Sequence, residues 1–72
     1  MIARSDIWTI ARQPGVLTDL QLQVLELREL NGLTWNQISY ALNRDPATVR
    51  GHYRAGKRRL LNHLEQLNKE TA

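Results

Sequence analysis

The chain has 72 residues, 42% of them hydrophobic, and no cysteine. A chain of this length is a single domain that buries only about 60% of the surface its unfolded form exposes, and the absence of cysteine excludes a disulfide staple, a thiolate metal site and a cysteine nucleophile. Uninterrupted apolar runs reach only two or three residues, which excludes a membrane span and a signal peptide and predicts a cytoplasmic protein. The net charge of +3 is unevenly spread: residues 1–43 carry three basic and four acidic groups, whereas residues 44–63 carry six basic groups and one acid. Such a split points to a polyanionic partner met by one side of the fold.

In chain order, Ser5-Asp6 is read as the cap of a short helix through Ile10, and Gln13-Pro14-Gly15 as its break. Ile2, Ile7, Trp8 and Ile10 are too apolar for a free tail, so residues 1–16 are expected to dock on the core; the alternative is a partly disordered terminus. Thr18 with Gln21 has the spacing of a capping box and opens a helix that runs to Asn31, where Gly32 supplies a left-handed stop. The signal repeats at Thr34 and Gln37, predicting a shorter helix to about Leu42. Asp45 as cap and Pro46 at the first helical position start a third, free of further proline and expected to run to about Leu67 before residues 68–72 fray. The three-residue connection Asn43-Arg44-Asp45 has the spacing of a helix-turn-helix. The fold class predicted is all-α, a domain of three to four helices built on residues 17–67, with an extended C-terminal helix.

Placed at about 100° per residue, the apolar positions separate into faces. Leu20, Val24, Leu27 and Leu30 form one stripe, and Trp35, Ile38, Ala41 and Leu42 join it, with Tyr40 at the rim. Leu22 and Leu25 fall on the other side of their helix, to be covered by the N-terminal arm, by the tail of the last helix or by a partner chain. In the last helix Val49, Tyr53, Gly56, Leu60, Leu64 and Leu67 draw one continuous stripe. Gly56 within it costs about 1 kcal/mol relative to alanine, which suggests close approach of another helix. Ala47, Arg50, Gly51, Arg54 and Arg58 occupy the opposite face, flanked by Thr48, Ala55 and Arg59, and a basic face with small residues suits a groove lined by phosphates.

The run Leu17-Thr18, Val24-Leu25-Glu26-Leu27-Arg28, Asn31-Gly32-Leu33-Thr34-Trp35-Asn36-Gln37-Ile38-Ser39-Tyr40-Ala41-Leu42, then Ala47-Thr48-Val49-Arg50 and Arg54-Ala55-Gly56-Lys57-Arg58-Arg59-Leu60, resembles region 4 of bacterial sigma factors, which reads the −35 promoter element. It is also similar to the DNA-binding domains of LuxR-type regulators, although the basic extension at Lys57-Arg58-Arg59 fits sigma factors better. The resemblance covers about residues 17–65 and implies a helical DNA-binding domain whose recognition helix, about residues 46–60, begins near Pro46 and enters the major groove. No promoter-melting or polymerase-core-binding region precedes it, so a stand-alone small protein is expected. Of the positions that read promoter bases in that family, aligned here with Pro46, Ala47, Arg50 and Gly51, only Arg50 has a side chain able to make a bidentate guanine contact.

The expected base-contacting residues are therefore Ala47, Thr48, Arg50, Gly51 and Arg54, with Ala47 and Thr48 suited to a thymine methyl. Thr34, Arg44, Lys57, Arg58 and Arg59 are expected at phosphates, which position a domain without reading sequence. His52 and His63 are read as surface residues. No cofactor or metal is expected, and no side chain stands in a nucleophile or general-acid context, so an enzyme is not expected. The partner expected is double-stranded DNA, bound by a transcriptional regulator. Leu22, Leu25, Leu61, Leu64 and Leu67 offer a surface for a homodimer, the alternative being that they complete the monomer's core. A second reading is a mimic of sigma region 4 that binds RNA polymerase as a co-activator, appropriator or anti-sigma decoy.

Overall fold

Three of the helices in this chain begin where a nearby side chain satisfies the first amides. The computed structural model describes residues 4–71 and contains, among them, α1 (Arg4–Ala11), α2 (Asp19–Glu29), α3 (Trp35–Leu42) and α4 (Pro46–Thr71), with no strand. The expectation for Ile2 lies outside the described residues, as does the side chain of Ser5; α1 begins at Arg4, so Ser5-Asp6 stands in its first turn and not ahead of it as a cap. At α2 the Gln21 amide donates to Thr18 Oγ1 at 3.1 Å and the Thr18 amide donates to Gln21 Oε1 at 3.1 Å. At α3 the Gln37 amide reaches Thr34 Oγ1 at 3.1 Å and the Thr34 amide reaches Gln37 Oε1 at 2.8 Å. Both reciprocal capping boxes therefore form, satisfying orphan donors at each helix start.

The stops are equally local. Gly32 has φ +67°, and Asn43, the residue after α3, is left-handed at φ 53°. Asparagine tolerates that conformation better than most side chains. Helix α2 ends at Glu29, two residues short of Asn31, because the amides of Leu30 and Asn31 both turn onto the Glu26 carbonyl, at 2.9 and 3.2 Å. Helix α4 continues past Leu67 to Thr71, with no proline or glycine to stop it. Its 26 residues, at about 1.5 Å each, account for most of the 42 Å long axis of the molecule.

Two apolar clusters hold the helices together. Val24, Ile38 and Val49, each 0% exposed, meet where α2, α3 and α4 converge, with Leu20, Leu27, Leu33, Trp35 and Leu42 packed around them. Ala11, Val16, Leu17, Leu25 and Leu60 form the other cluster, against which Ile7, Trp8, Leu22 and Leu64 pack. Tyr53 packs on both, and its ring meets Trp35 edge-on with centroids 5.0 Å apart. A Cβ on Gly56 would stand 3.1 Å from Gln21 Cβ and 3.2 Å from Leu25 Cδ1, so glycine there lets α4 lie close on α2. No helix among the described residues is long and apolar enough to cross a membrane.

Several faces differ from expectation. Leu25 is 3% exposed and belongs to the chain's own core, and Leu22 is half-buried beside it, because α1, the Val16-Leu17 segment and α4 cover that side of α2. Leu25 is therefore not available for self-association. Leu30, expected in the core stripe, is 52% exposed, since it lies beyond the last turn of α2, where the chain bends away. Ala41 is exposed as well, whereas its neighbours Ile38 and Leu42 carry the packing of α3.

Candidate nucleic-acid interface

Asp45 and Pro46 fix the point from which the basic face of α4 is counted. The Asp45 carboxylate accepts the Ala47 amide at 3.0 Å, and Pro46 needs no acceptor for an N–H it lacks. With Val49 at 0% exposure pointing into the core, helical geometry turns the opposite side outward. Ala47, Thr48, Arg50, Gly51, Arg54, Ala55 and Arg58 are all exposed there. Apart from its own turn of helix, nothing lies within 4 Å of the position a Cβ on Gly51 would take, so the backbone is open to whatever approaches this face.

The cations divide into two sets. Arg12 pairs with Glu26 at 2.8 Å, and Arg28 donates to the Leu33 carbonyl at 2.8 Å while stacking 4.4 Å over the Trp35 ring. These two serve the fold. The side chains of Arg44, Arg50, Arg54 and Arg58, in contrast, make no ion pair or hydrogen bond with any described residue. The nearby acids are committed elsewhere: Asp45 to the start of α4, Glu26 to Arg12, and Glu29 to the Tyr53 hydroxyl, which donates to its carboxylate. That hydrogen bond, and next to it burial, raises the Tyr53 pKa above its ordinary value, so the tyrosine is neutral near pH 7. The outcome is a row of uncompensated guanidiniums at four-residue spacing on α4, preceded by Arg44 in the turn.

Other predicted residues take more specific places. Arg50 shares a surface depression with Thr34, Trp35, Asn36 and Pro46, so the start of α3 and the start of α4 meet at one site. The positive end of the α3 dipole adds there to the Arg50 charge. Thr34 has its amide and a hydroxyl lone pair occupied by Gln37, which leaves its hydroxyl proton to donate outward. Arg59 lies on the far flank and reaches the Gly15 carbonyl at 3.3 Å. Lys57 stands on the near flank, 5.5 Å from the Tyr53 ring centre. His52 and His63 are half-buried at the shoulders of α4, and the described residues hold no group of three or more metal-ligating side chains.

Two residues that the sequence reading left out belong to this surface. Asn36 lines the depression beside Arg50, and Asn62 lines a second one with Gly51, Arg54, Ala55, Arg58 and Arg59. Asn62 follows Arg58 by four residues, so extending the wheel by one turn would have found it. Neutral amides carry no charge signal, and they can both donate and accept. Chemically, the surface offers unpaired, exposed guanidiniums flanked by amide groups, with low relief at Ala47, Gly51 and Ala55. No protein-family model matches the chain, and comparison with curated proteins and with solved structures gives no match either.

Proposed function

We propose that this protein is a sequence-specific, double-stranded DNA-binding transcriptional regulator that works as a helix-turn-helix. In this reading α3 crosses the phosphate backbone and the first four turns of α4 lie in the major groove. The observation that carries it is the set of unpaired arginines, Arg44, Arg50, Arg54 and Arg58, on a surface whose nearby acids are engaged elsewhere. An isolated fold gains nothing from crowding four uncompensated cations together. A polyphosphate supplies the missing counter-charge.

Roles follow from depth along the helix. Arg50, and after it Arg54, reach base edges, where a guanidinium reads guanine through O6 and N7. Ala47 and Thr48 contact a thymine methyl, and Gly51 lets the backbone sit close to the groove. Arg44, Lys57, Arg58, Arg59 and the Thr34 hydroxyl hold phosphates and set the register. The resemblance of residues 17–65 to sigma region 4 supports the same assignment.

The test is selection of sites from a random duplex pool, followed by titration of the selected site with Arg50→Ala and with the combined Arg50→Ala and Arg54→Ala variant. Arg50→Ala should cost about 1–3 kcal/mol and relax preference at one base pair, whereas Arg58→Ala should weaken all sequences alike and reduce the salt slope by about one. If no sequence is enriched and the double variant is retained on RNA polymerase as well as the parent, the DNA reading fails and the polymerase-mimic reading replaces it.

A further inference from the structure

Helix α4 carries a further flank at the boundary between its two faces: Leu64 also packs on the core cluster, and Leu61 shares a depression with Arg54 and Arg58 of the basic row. Lys57, Leu61, Leu64 and Asn68 follow one another at spacings of four, three and four residues. That is the seam pattern of a coiled coil, and here it runs down one flank of the helix, about a sixth of a turn from the middle of the basic face. Leu61 is 55% exposed although apolar. With Ile7, Trp8, Leu25, Leu60 and Leu64 it lines a groove between α1 and α4, and Glu29 and Lys57 complete its lining. We propose that this flank docks a second copy of the chain, α4 against α4 in antiparallel orientation, giving a two-fold dimer.

Charge selects the orientation. In an antiparallel register that stacks Leu61 on Leu64 of the second copy, Arg58 comes opposite Glu65, twice, by symmetry. Glu65 is exposed and, among the described residues, pairs with Lys69 alone, at 3.8 Å. A parallel register would instead set Lys57 against Lys57 and leave Glu65 facing Leu60 of the second copy, with no cation opposite it. At the ends of the antiparallel seam Lys57 meets Asn68; polar groups in such positions fix register at some cost in stability. The occupant is thus a chain that presents leucines at this spacing with an acid three residues before the second polar seam position, and this chain is one.

Geometry then connects the dimer to the proposed DNA surface, and this step rests on that reading. The two-fold axis runs perpendicular to the paired helices, so the offset of about a sixth of a turn brings both basic faces to the same side. From the seam centre, between Leu61 and Leu64, to the middle of the segment 47–54 is about twelve residues, or about 18 Å of helix. The two segments therefore lie about 36 Å apart, the separation of successive major grooves on one side of B-DNA.

Sedimentation equilibrium of the full chain without DNA tests the interface independently of any DNA activity. The parent should be dimeric, and Leu61→Glu should raise the dissociation constant on the order of a hundredfold, because each dimer loses two leucines, with an unchanged circular dichroism spectrum. Arg58→Glu and Glu65→Arg should each weaken the dimer, and their combination should restore it. A parent that stays monomeric at millimolar concentration, or a dimer indifferent to Leu61→Glu, overturns the proposal. A charge pair that fails to rescue overturns the antiparallel register. Dimerisation as described with no DNA binding would leave this interface standing and remove the functional reading alone.

Discussion

The two apolar clusters use similar side chains and differ in how they are closed. Val24, Ile38 and Val49 come from three helices, are fully buried and are all β-branched, so each is stiff at χ1 and interlocks in few arrangements. The other cluster takes Val16 and Leu17 from a connecting segment, and its rim is formed by the half-buried Ile7 and Trp8. Its polar ties lie at the surface: the Arg12–Glu26 pair, with Arg12 also 5.9 Å from the Trp8 ring centre, and the Arg59 bond to Gly15. The orientation of α3 against α4, and with it the candidate interface, thus rests on a dry three-way junction, whereas the seat of α1 rests on partial burial and on contacts that solvent screens.

If that contrast holds, the largest effect belongs to Ile38→Ala. Removing a fully buried side chain where three helices meet should cost about 3 kcal/mol and lower the melting temperature by about 15 °C, a large share of the stability of a domain this size. A thermal melt that barely moves would show that the junction does not organise the fold. Tyr53→Phe comes next, because Tyr53 packs on both clusters and its hydroxyl bond to Glu29 should be worth about 1 kcal/mol. Its pKa is raised in the fold, by the Glu29 hydrogen bond first and burial second, so the folded state holds the phenol proton more tightly than the unfolded state does. The advantage of tyrosine over phenylalanine is therefore fully present below the ordinary pKa of 10.0 and is lost as the pH rises through the raised value. Denaturant midpoints of the two proteins at neutral and strongly alkaline pH check this; a gap that widens with pH contradicts it. Smallest is Arg12→Ala, at about 0.5 kcal/mol in low salt and nothing measurable at high salt, read from Trp8 emission in a Trp35→Phe background. A loss well above 1 kcal/mol would show the α1 cluster to depend on that ion pair more than on its leucines.

What sequence alone conveyed follows the range of the interaction that decides each feature. Thr18 with Gln21, Thr34 with Gln37 and Asp45 with Pro46 are complete within four residues, so the starts of α2, α3 and α4 were legible. So was the buried stripe from Val49 to Leu60, which depends only on the helical period. The cover over Leu25 was legible only as a choice between the N-terminal arm, the tail of the last helix and a partner chain: a wheel assigns Leu25 to a second face without saying which of these lies on top, and Ala11, Val16, Leu17 and Leu60 do. Apolarity alone does not place Leu30 or Ala41: Leu30 lies beyond the last turn of α2, and Ala41 is exposed at the edge of the face through which Trp35, Ile38 and Leu42 pack. On the candidate interface, the four-residue spacing of Arg50, Arg54 and Arg58 was visible at once. The sorting of Arg12 and Arg28 into structural roles depended on Glu26 and Trp35, whose positions in space no spacing rule supplies.

The unbroken course of α4 fixes a phase as well as a length. From Pro46 to Thr71 no residue departs from helix, so the angle between the arginine row and the Leu61–Leu64 flank is set by covalent counting, at about 100° per residue. Packing cannot readjust it without breaking the helix. One residue inserted between Arg58 and Leu61 would swing the leucines round by more than a quarter turn, onto the side where the arginines now stand. Seven inserted residues would return them nearly to their present bearing and only lengthen the arm, so this helix tolerates changes in its length by whole heptads and not by single residues.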